Sequence, residues 1–274
     1  MPHRVCGLTN VKNFNKKMDK KISFIGIIPA RYGSSRFPGK PLAEIGGMTM
    51  IERVWRQVAK VLGDAVVATD DSRILKEVER FGGRVVMTSE SHRSGTDRCF
   101  EAYRNCGSTA DVIINIQGDE PFIHEQQIEE IMQCFNDDDT QIATLARKFD
   151  KEKGFDALSD WTKPKLVLDN RNYALYFSRS VIPYIRNKKT GEWAESFPFL
   201  MHVGMYAYRA SVLEEITRLP QSSLEIAESL EQLRWLQNGY KIKVGLTEHE
   251  TIGIDTPADL ERANKFLESS NLPK

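Results

Sequence analysis

Apolar and polar positions fall into blocks along this chain, and the blocks alternate between two periods. Residues 22–28 form a nearly continuous apolar run, the pattern of a strand buried on both faces. Residues 49–62 carry apolar side chains at Ile51, Val54, Trp55 and Val58, the spacing of one helix face. A second apolar run spans 65–69, after which Ser72 is placed to cap a helix reaching Phe81, with Ile74, Leu75 and Val78 on one side. Strand-like 84–87, helical 96–105, strand-like 112–116, helical 124–135 and strand-like 142–145 continue the series. Strand–helix units repeated with short loops predict an α/β fold, a mostly parallel sheet covered by helices on both faces.

The pattern breaks after about Asp150. Residues 165–169 and 173–177 read as two antiparallel strands joined at Asn170-Arg171. A polar stretch, 186–195, then leads into a long run rich in aromatics, 199–208. These features predict a smaller lobe, about residues 155–205, inserted at one end of the sheet. Helices over 211–219 and 224–237 and a strand over 241–246 return to the main fold. The last helix opens at Thr256-Pro257-Ala258-Asp259, with Thr256 as N-cap, Pro257 first in the helix and Asp259 in the first turn. Residues 1–17 are polar and unpatterned and lack the apolar stretch of a signal peptide. They read as a disordered or spurious extension, with Met18 as the natural start of a single domain over 18–274; a regulatory extension is the alternative.

Lys plus Arg and Asp plus Glu each number 38, so the formal net charge is zero. That balance leaves no electrostatic footprint for nucleic acid or an anionic membrane, and any anion site must be local. Cys6, Cys99, Cys106 and Cys134 include no C-x-x-C pair and no metal-ligand spacing, and read as free thiols of a reducing compartment. No apolar stretch nears the roughly 20 residues needed to cross a bilayer. A cytoplasmic protein without nucleic-acid or membrane partners is expected.

In open parallel sheets, ligands bind beyond the carboxyl ends of the strands. The first strand runs into Pro29-Ala30-Arg31-Tyr32-Gly33-Ser34-Ser35-Arg36-Phe37-Pro38-Gly39-Lys40-Pro41-Leu42. Glycines permit close backbone approach, hydroxyls and amides donate, and cations neutralise phosphate, so Arg31, Ser34 and Lys40 suit a triphosphate. The spacing is neither the Walker pattern nor the dinucleotide fingerprint, which makes a dehydrogenase the weaker reading; a basic surface loop is the bland alternative. Thr69-Asp70-Asp71 reads first as acids capping the next helix. Gln117-Gly118-Asp119-Glu120-Pro121 places an amide, a glycine and an acid at a strand end, suited to base recognition and Mg²⁺, or to an acidic turn ended by proline. Asp255 precedes the last helix and is either structural or a second metal carboxylate meeting Asp119. In His92-Arg93-Ser94-Gly95-Thr96-Asp97-Arg98, residues Ser94, Gly95 and Thr96 offer donors and Arg98 a planar fork; the alternative is a helix start capped by Ser94 or Thr96.

Taken in order, Ile27-Ile28-Pro29-Ala30-Arg31-Tyr32, Pro38-Gly39-Lys40-Pro41-Leu42, Val67-Ala68-Thr69-Asp70, Ser94-Gly95-Thr96, Asn115-Ile116-Gln117-Gly118-Asp119-Glu120-Pro121, Tyr173-Ala174-Leu175-Tyr176-Phe177-Ser178-Arg179, Leu230-Glu231-Gln232-Leu233-Arg234 and Asp255-Thr256-Pro257 form a set. The set resembles the 3-deoxy-D-manno-octulosonate (Kdo) cytidylyltransferase family, the CMP-Kdo synthetases of lipopolysaccharide synthesis, from about Ile22 to the last helix. The resemblance implies a Rossmann-like, nucleotide-diphospho-sugar transferase-like fold. It also implies a Mg²⁺-dependent reaction of CTP with Kdo giving CMP-Kdo and pyrophosphate, in a cytosolic homodimer whose smaller lobe joins the dimer contact. By position, Arg31, Ser34 and Lys40 would hold the CTP phosphates, with Arg31, Lys40 and Asp119 catalytic. Gln117, the Ser94–Thr96 loop and Arg98 would bind the nucleotide, and Asp119 and Asp255 the metal. Arg179, His202, Tyr206, Glu231 and Gln232 would line the sugar-acid pocket, Arg179 offering its fork to the carboxylate and His202 contacting a hydroxyl. Tyr184 stands where some relatives carry tryptophan, at the rim of that pocket. Activation of another acid sugar, such as sialic acid or amino-Kdo, and a catalytically silent nucleotide-binding regulator are the competing readings.

Overall fold

The computed structural model describes residues 21–34, 36–250 and 253–269. The readings for residues 1–17, Met18 and Cys6 lie outside the described residues. The strands are β1 (Phe24–Ala30), β2 (Glu44–Ile45), β3 (Met48–Thr49), β4 (Ala65–Thr69), β5 (Arg84–Met87), β6 (Val112–Asn115), β7 (Ile142–Lys148), β8 (Lys165–Leu168), β9 (Ala174–Ser178), β10 (Leu200–Arg209) and β11 (Ile242–Thr247). The α-helices are α1 (Met50–Val61), α2 (Ser72–Arg80), α3 (Gly95–Asn105), α4 (Glu125–Gln133), α5 (Gly154–Leu158), α6 (Trp193–Ser196), α7 (Ala210–Thr217), α8 (Ser223–Glu228), α9 (Gln232–Gln237) and α10 (Pro257–Ser269).

Among the described residues, nine strands make one sheet with the main path β11-β7-β10-β6-β1-β4-β5. Strands β6, β1, β4 and β5 run parallel, as do β11 and β7. The exception is β10, which lies antiparallel to both β6 and β7 in the middle of the sheet. Strand β1 explains why both faces are covered. Its pleat sends Ile28 to a core with Val54 and Val58 of α1 and Ile128 of α4. The same pleat sends Ile25 and Ile27 to a second core with Cys99 of α3, Leu213 of α7 and Trp235 of α9. All three isoleucines are fully buried, each contributing about 1.5–3 kcal/mol of transfer free energy.

The sequence-based elements need four corrections. Strand β1 starts later than expected and runs on to Ala30, because its register with β4 extends to Ala30 opposite Thr69. Helix α2 is capped by Asp71, which accepts from the Arg73 amide at 2.8 Å, and Ser72 is its first residue. The turn between β8 and β9 is wider than Asn170-Arg171: Asp169 accepts from the amides of Arg171 and Tyr173, with Asn172 at φ 61°. The helix expected over 224–237 is two helices, broken at Ser229, which takes φ 51°. There Arg179 donates to the carbonyls of Glu228 and Ser229, which drop out of a continuous helical ladder.

The hairpin β8–β9 joins the sheet through Leu166 and Lys165, opposite Leu200 and Met201 of β10. Around it Leu158, Trp193, Phe199 and Met201 make a small core of their own. Phe177 of β9, fully buried, instead packs into the main core beside α9. The lobe is therefore anchored by a side chain that the sheet also needs. Phe177→Ala is expected to cost about 3–5 kcal/mol, lowering the urea midpoint of a single cooperative transition. A separate early transition for the lobe would contradict this.

Candidate active site

The ends of β1 and β6, the first turn of α3 and the start of α10 enclose a cleft of about 270 Å³ at the carboxyl edge of the sheet. Its wall contains Arg31, Ser34, Lys40, Ser94, Gly95, Arg98, Gln117, Asp119 and Asp255, nine residues singled out from the sequence. Local sequence accounts for this convergence. A Cβ on Gly118 would lie 2.8 Å from the Pro29 carbonyl, so only glycine lets the two strand ends press together. Gly39 takes φ 73° and donates to the Tyr32 carbonyl at 2.9 Å, folding the loop back. A single 3₁₀ turn, Lys40–Leu42, follows and carries the Lys40 side chain over the cleft. Ser94 caps α3 by accepting from the Asp97 amide at 3.1 Å, leaving the positive end of an eleven-residue helix facing the same space.

The two carboxylates meet on one cation. Lys40 Nζ lies 2.6 Å from Asp119 Oδ2 and 3.3 Å from Asp255 Oδ1. The tether behind this meeting is a backbone bond: Ile254 N donates to the Asp119 carbonyl at 2.9 Å. Asp255 is held from the other side by α10, where its amide and that of Thr256 both donate to Asp259 Oδ2. The Asp259 amide donates back to Thr256 Oγ1, which completes the expected cap. Arg36, not singled out from the sequence, places Nη2 3.2 Å from Asp255 Oδ1. Its signal was its place in the basic loop. Next to the pair, burial pushes the Glu120 carboxyl up to about 8.

Among the described residues, no three His, Cys, Asp or Glu side chains group as a protein-only metal cage. The donor chemistry of Asp119 with Asp255 suits a hard cation that completes its shell with phosphate and water, as Mg²⁺ does. Two carboxylates already converging on a cationic nitrogen fit that use.

Arg98 differs from expectation. It is buried and donates to Asp70 Oδ2 and Thr88 Oγ1, each at 2.6 Å, so most of its fork is committed to tying α3 to the ends of β4 and β5. Asp70 is thus the partner of Arg98, and helix capping falls to Asp71 alone. Thr96 does not line the cleft; its Oγ1 donates to Glu231 Oε2 at 2.7 Å. The expected sugar set forms a second cluster behind that bond. Glu231 also accepts from Arg234 Nη2 at 2.7 Å, while burial raises its pKa. Tyr206 stacks on Tyr208 and meets His202 at a tilt, and Trp235 meets both tyrosines edge-on. The Tyr206 hydroxyl, the Gln232 amide nitrogen, the Tyr208 hydroxyl and the Trp235 indole N–H are buried without a hydrogen-bond partner. Tyr208 and Trp235 escaped the sequence reading because aromatics in apolar runs read as core.

Arg179 was expected to present an open fork to a carboxylate. Its donors go instead to the carbonyls of Glu228 at Nε, Trp161 at Nη1 and Ser229 at Nη2. Its amide and the Ser178 hydroxyl bind the Glu228 carboxylate at 2.9 and 2.7 Å. This double clamp fixes the turn that delivers Glu231 and Gln232.

The sequence profile of the cytidylyltransferase family matches residues 25–242. The 3-deoxy-manno-octulosonate cytidylyltransferase of Parabacteroides distasonis is 63% identical over 247 residues, covering 90% of this chain and 98% of that protein. The enzyme of the same name from Phocaeicola vulgatus is 59% identical over 246 residues, with 90% and 98% covered. The solved structure of CMP:2-keto-3-deoxy-manno-octonic acid synthetase complexed with CTP superposes with a TM-score of 0.82 at 42% identity, covering 90% of this chain and 98% of that one. A putative glucose-1-phosphate thymidylyltransferase from Bacillus anthracis, 16% identical with a TM-score of 0.61 over 92% and 98% of the two chains, shares the fold alone.

His202 carries a consequence for stability. Its Nε2 sits 3.1 Å from Thr144 Oγ1, its ring packs on Phe177, and burial lowers its pKa from 6.5 to about 4. Between those values the unfolded chain binds a proton that the folded chain refuses, so stability falls as pH drops through that window. The loss between pH 7 and 5 is expected to be roughly 2 kcal/mol at most. Urea melts of wild type and His202→Gln at the two pH values should show the variant losing less; equal losses would contradict a neutral buried ring.

Proposed function

The chain belongs to the cytidylyltransferase family, among the 3-deoxy-manno-octulosonate cytidylyltransferases, and from that premise we propose that it transfers CMP from CTP to the anomeric hydroxyl of Kdo, releasing pyrophosphate. The observation that carries the reading is the meeting of Asp119, Asp255 and Lys40 in a cleft whose wall also holds Arg31, Ser34 and Gln117. Arg31, Ser34 and Lys40 bind the triphosphate, and Gln117 with Ser94 and Gly95 reads cytosine from the α3 N-terminus. Asp119 and Asp255 would hold Mg²⁺, which supplies charge neutralisation at the phosphate oxygens and acidifies a bound hydroxyl. Phosphoryl transfer asks the protein for alignment and charge stabilisation more than for a covalent group. Lys40 and Arg31 provide the second by meeting negative charge as it moves onto the leaving pyrophosphate.

The sugar acid sits against His202, Tyr206, Glu231 and Gln232. Unpartnered polar atoms on Tyr206 and Gln232 favour a hydroxyl-rich ligand there, since a buried unmade hydrogen bond costs about 1–3 kcal/mol. In this reading Arg179 acts as a positioning residue for the Glu231-Gln232 turn. A cytoplasmic homodimer serving lipopolysaccharide synthesis completes the proposal. Exposed Trp161, Leu175 and Ile226 around the lobe favour a partner surface, and the thiols of Cys99, Cys106 and Cys134 fit a reducing compartment.

The direct test is pyrophosphate release from CTP and Mg²⁺ with Kdo, with sialic acid and with no sugar. Release with Kdo alone is expected; release only with another acid sugar would move the specificity, and silence with all would leave a nucleotide-binding role. Asp119→Asn should lower turnover at least about a hundredfold at unchanged melting temperature. Arg179→Ala should raise the sugar KM about tenfold while the CTP KM stays within about twofold. An unchanged sugar KM would remove Arg179 from that pocket's support.

A further inference from the structure

Lys40 stands where two demands on it conflict. Its ammonium touches both carboxylates proposed to hold the metal, at 2.6 Å from Asp119 Oδ2 and 3.3 Å from Asp255 Oδ1. A divalent ion bound to the same oxygens at about 2.0–2.1 Å needs the space in front of them. Two like-charged groups cannot share that space, so ammonium and metal exclude one another. The side chain is held firmly in its position, only 13% exposed. Its backbone is pinned by Gly39 N to the Tyr32 carbonyl at 2.9 Å and by Ala43 N to the Lys40 carbonyl at 3.1 Å. Lys40 can therefore leave the carboxylates only by swinging its side chain within the cleft.

Charge decides when it swings. Asp119 and Asp255 are balanced by Lys40 and by Arg36, whose Nη2 lies 3.2 Å from Asp255 Oδ1. A bare divalent ion would add two positive charges to a neutral cluster that also faces Arg31 and Arg93. A polyphosphate arriving with the ion reverses that sum and offers the ammonium a new anionic partner.

We propose that Lys40 is a gate on metal binding: it occupies the Asp119–Asp255 pair and yields it only when a polyphosphate takes over its ammonium, so the cleft discriminates against free divalent cations. The inference rests on the metal assignment made above and deepens it. In the cell it keeps the two carboxylates from trapping a free ion before the nucleotide arrives.

The test reads metal binding without turnover. Free Mn²⁺ is followed by its solution electron paramagnetic resonance signal as protein is added, for wild type, Lys40→Met, Lys40→Gln and Asp119→Asn, alone and with CTP but no sugar. Thermal melts accompany each variant, and the two substitutions at Lys40 guard against one that misfolds. The expected result is weak Mn²⁺ binding by wild type alone and at least tenfold tighter binding by a folded Lys40 variant alone. CTP should restore tight binding to wild type, read as free Mn²⁺ lost beyond what the same CTP removes in the absence of protein. Mn²⁺ binding to folded Lys40 variants no tighter than to wild type would overturn the gate, as would wild-type binding equally tight with and without CTP. The metal assignment fails separately, if Asp119→Asn binds Mn²⁺ with CTP as tightly as wild type does. The overall reaction fails separately again, if wild type releases no pyrophosphate with any sugar acid.

Discussion

One reversed strand organises the cleft side of this molecule. Parallel strands deliver their carboxyl ends to a single edge, but β10 enters from the opposite direction between β6 and β7. It is ten residues long, and β6 pairs with it only from Tyr206 onward, while β7 pairs back to Leu200. The unmatched half of β10 therefore overhangs the end of β6, on the side where the cleft lies. Backbone donors on that overhang need partners, and β8 meets Leu200 and Met201 there. The lobe is thus placed beside the cleft by the accounting of hydrogen bonds along one strand. His202 rides on the same overhang, and a register shift between Val203 and Tyr206 brings its ring against Tyr206.

A chain with no net charge still builds a strongly charged cleft, because its cations and anions are sorted in space. Five cationic side chains, Arg31, Arg36, Lys40, Arg93 and Arg98, share the cleft wall with only two carboxylates, Asp119 and Asp255. Arg98 is largely neutralised by Asp70, and Lys40 and Arg36 by the carboxylates. The excess positive charge lies with the remaining loop arginines and the helix end, on low-dielectric walls that strengthen it. Such a cleft holds a polyanion well and needs no basic surface elsewhere.

The strand-end segments were legible in the sequence because a parallel sheet leaves them only one place to meet. Arg31, Ser34, Lys40, Ser94, Gly95, Gln117, Asp119 and Asp255 all reach the cleft wall. What could not be read is how each group's bonding capacity is spent. Nothing near Arg98 in sequence announces Asp70, which lies 28 positions away, and nothing near Arg179 announces the carbonyls of Glu228 and Ser229. The break in the helix at Ser229 is hidden for the same reason, since local spacing there favours continuation and a distant arginine overrides it. The bond from Ile254 to Asp119, which makes a pair of two remote acids, has no periodic or compositional trace at all.

Helix α3 ties the two clusters together. Ser94 and Gly95 at its start face the cleft, and Thr96, one residue on, donates to Glu231 of the second cluster at 2.7 Å. Arg98 then locks the helix to the end of β4 through Asp70. Three consecutive residues of one helical turn thus fix the separation between the cleft and the second cluster. A rigid helix end holds this spacing more closely than two independent loops could, and an error of about 1 Å between reacting groups can cost a hundredfold in rate. Glu231 adds a second constraint. Half-buried and paired with Arg234 as well as Thr96, it resists moving without α3.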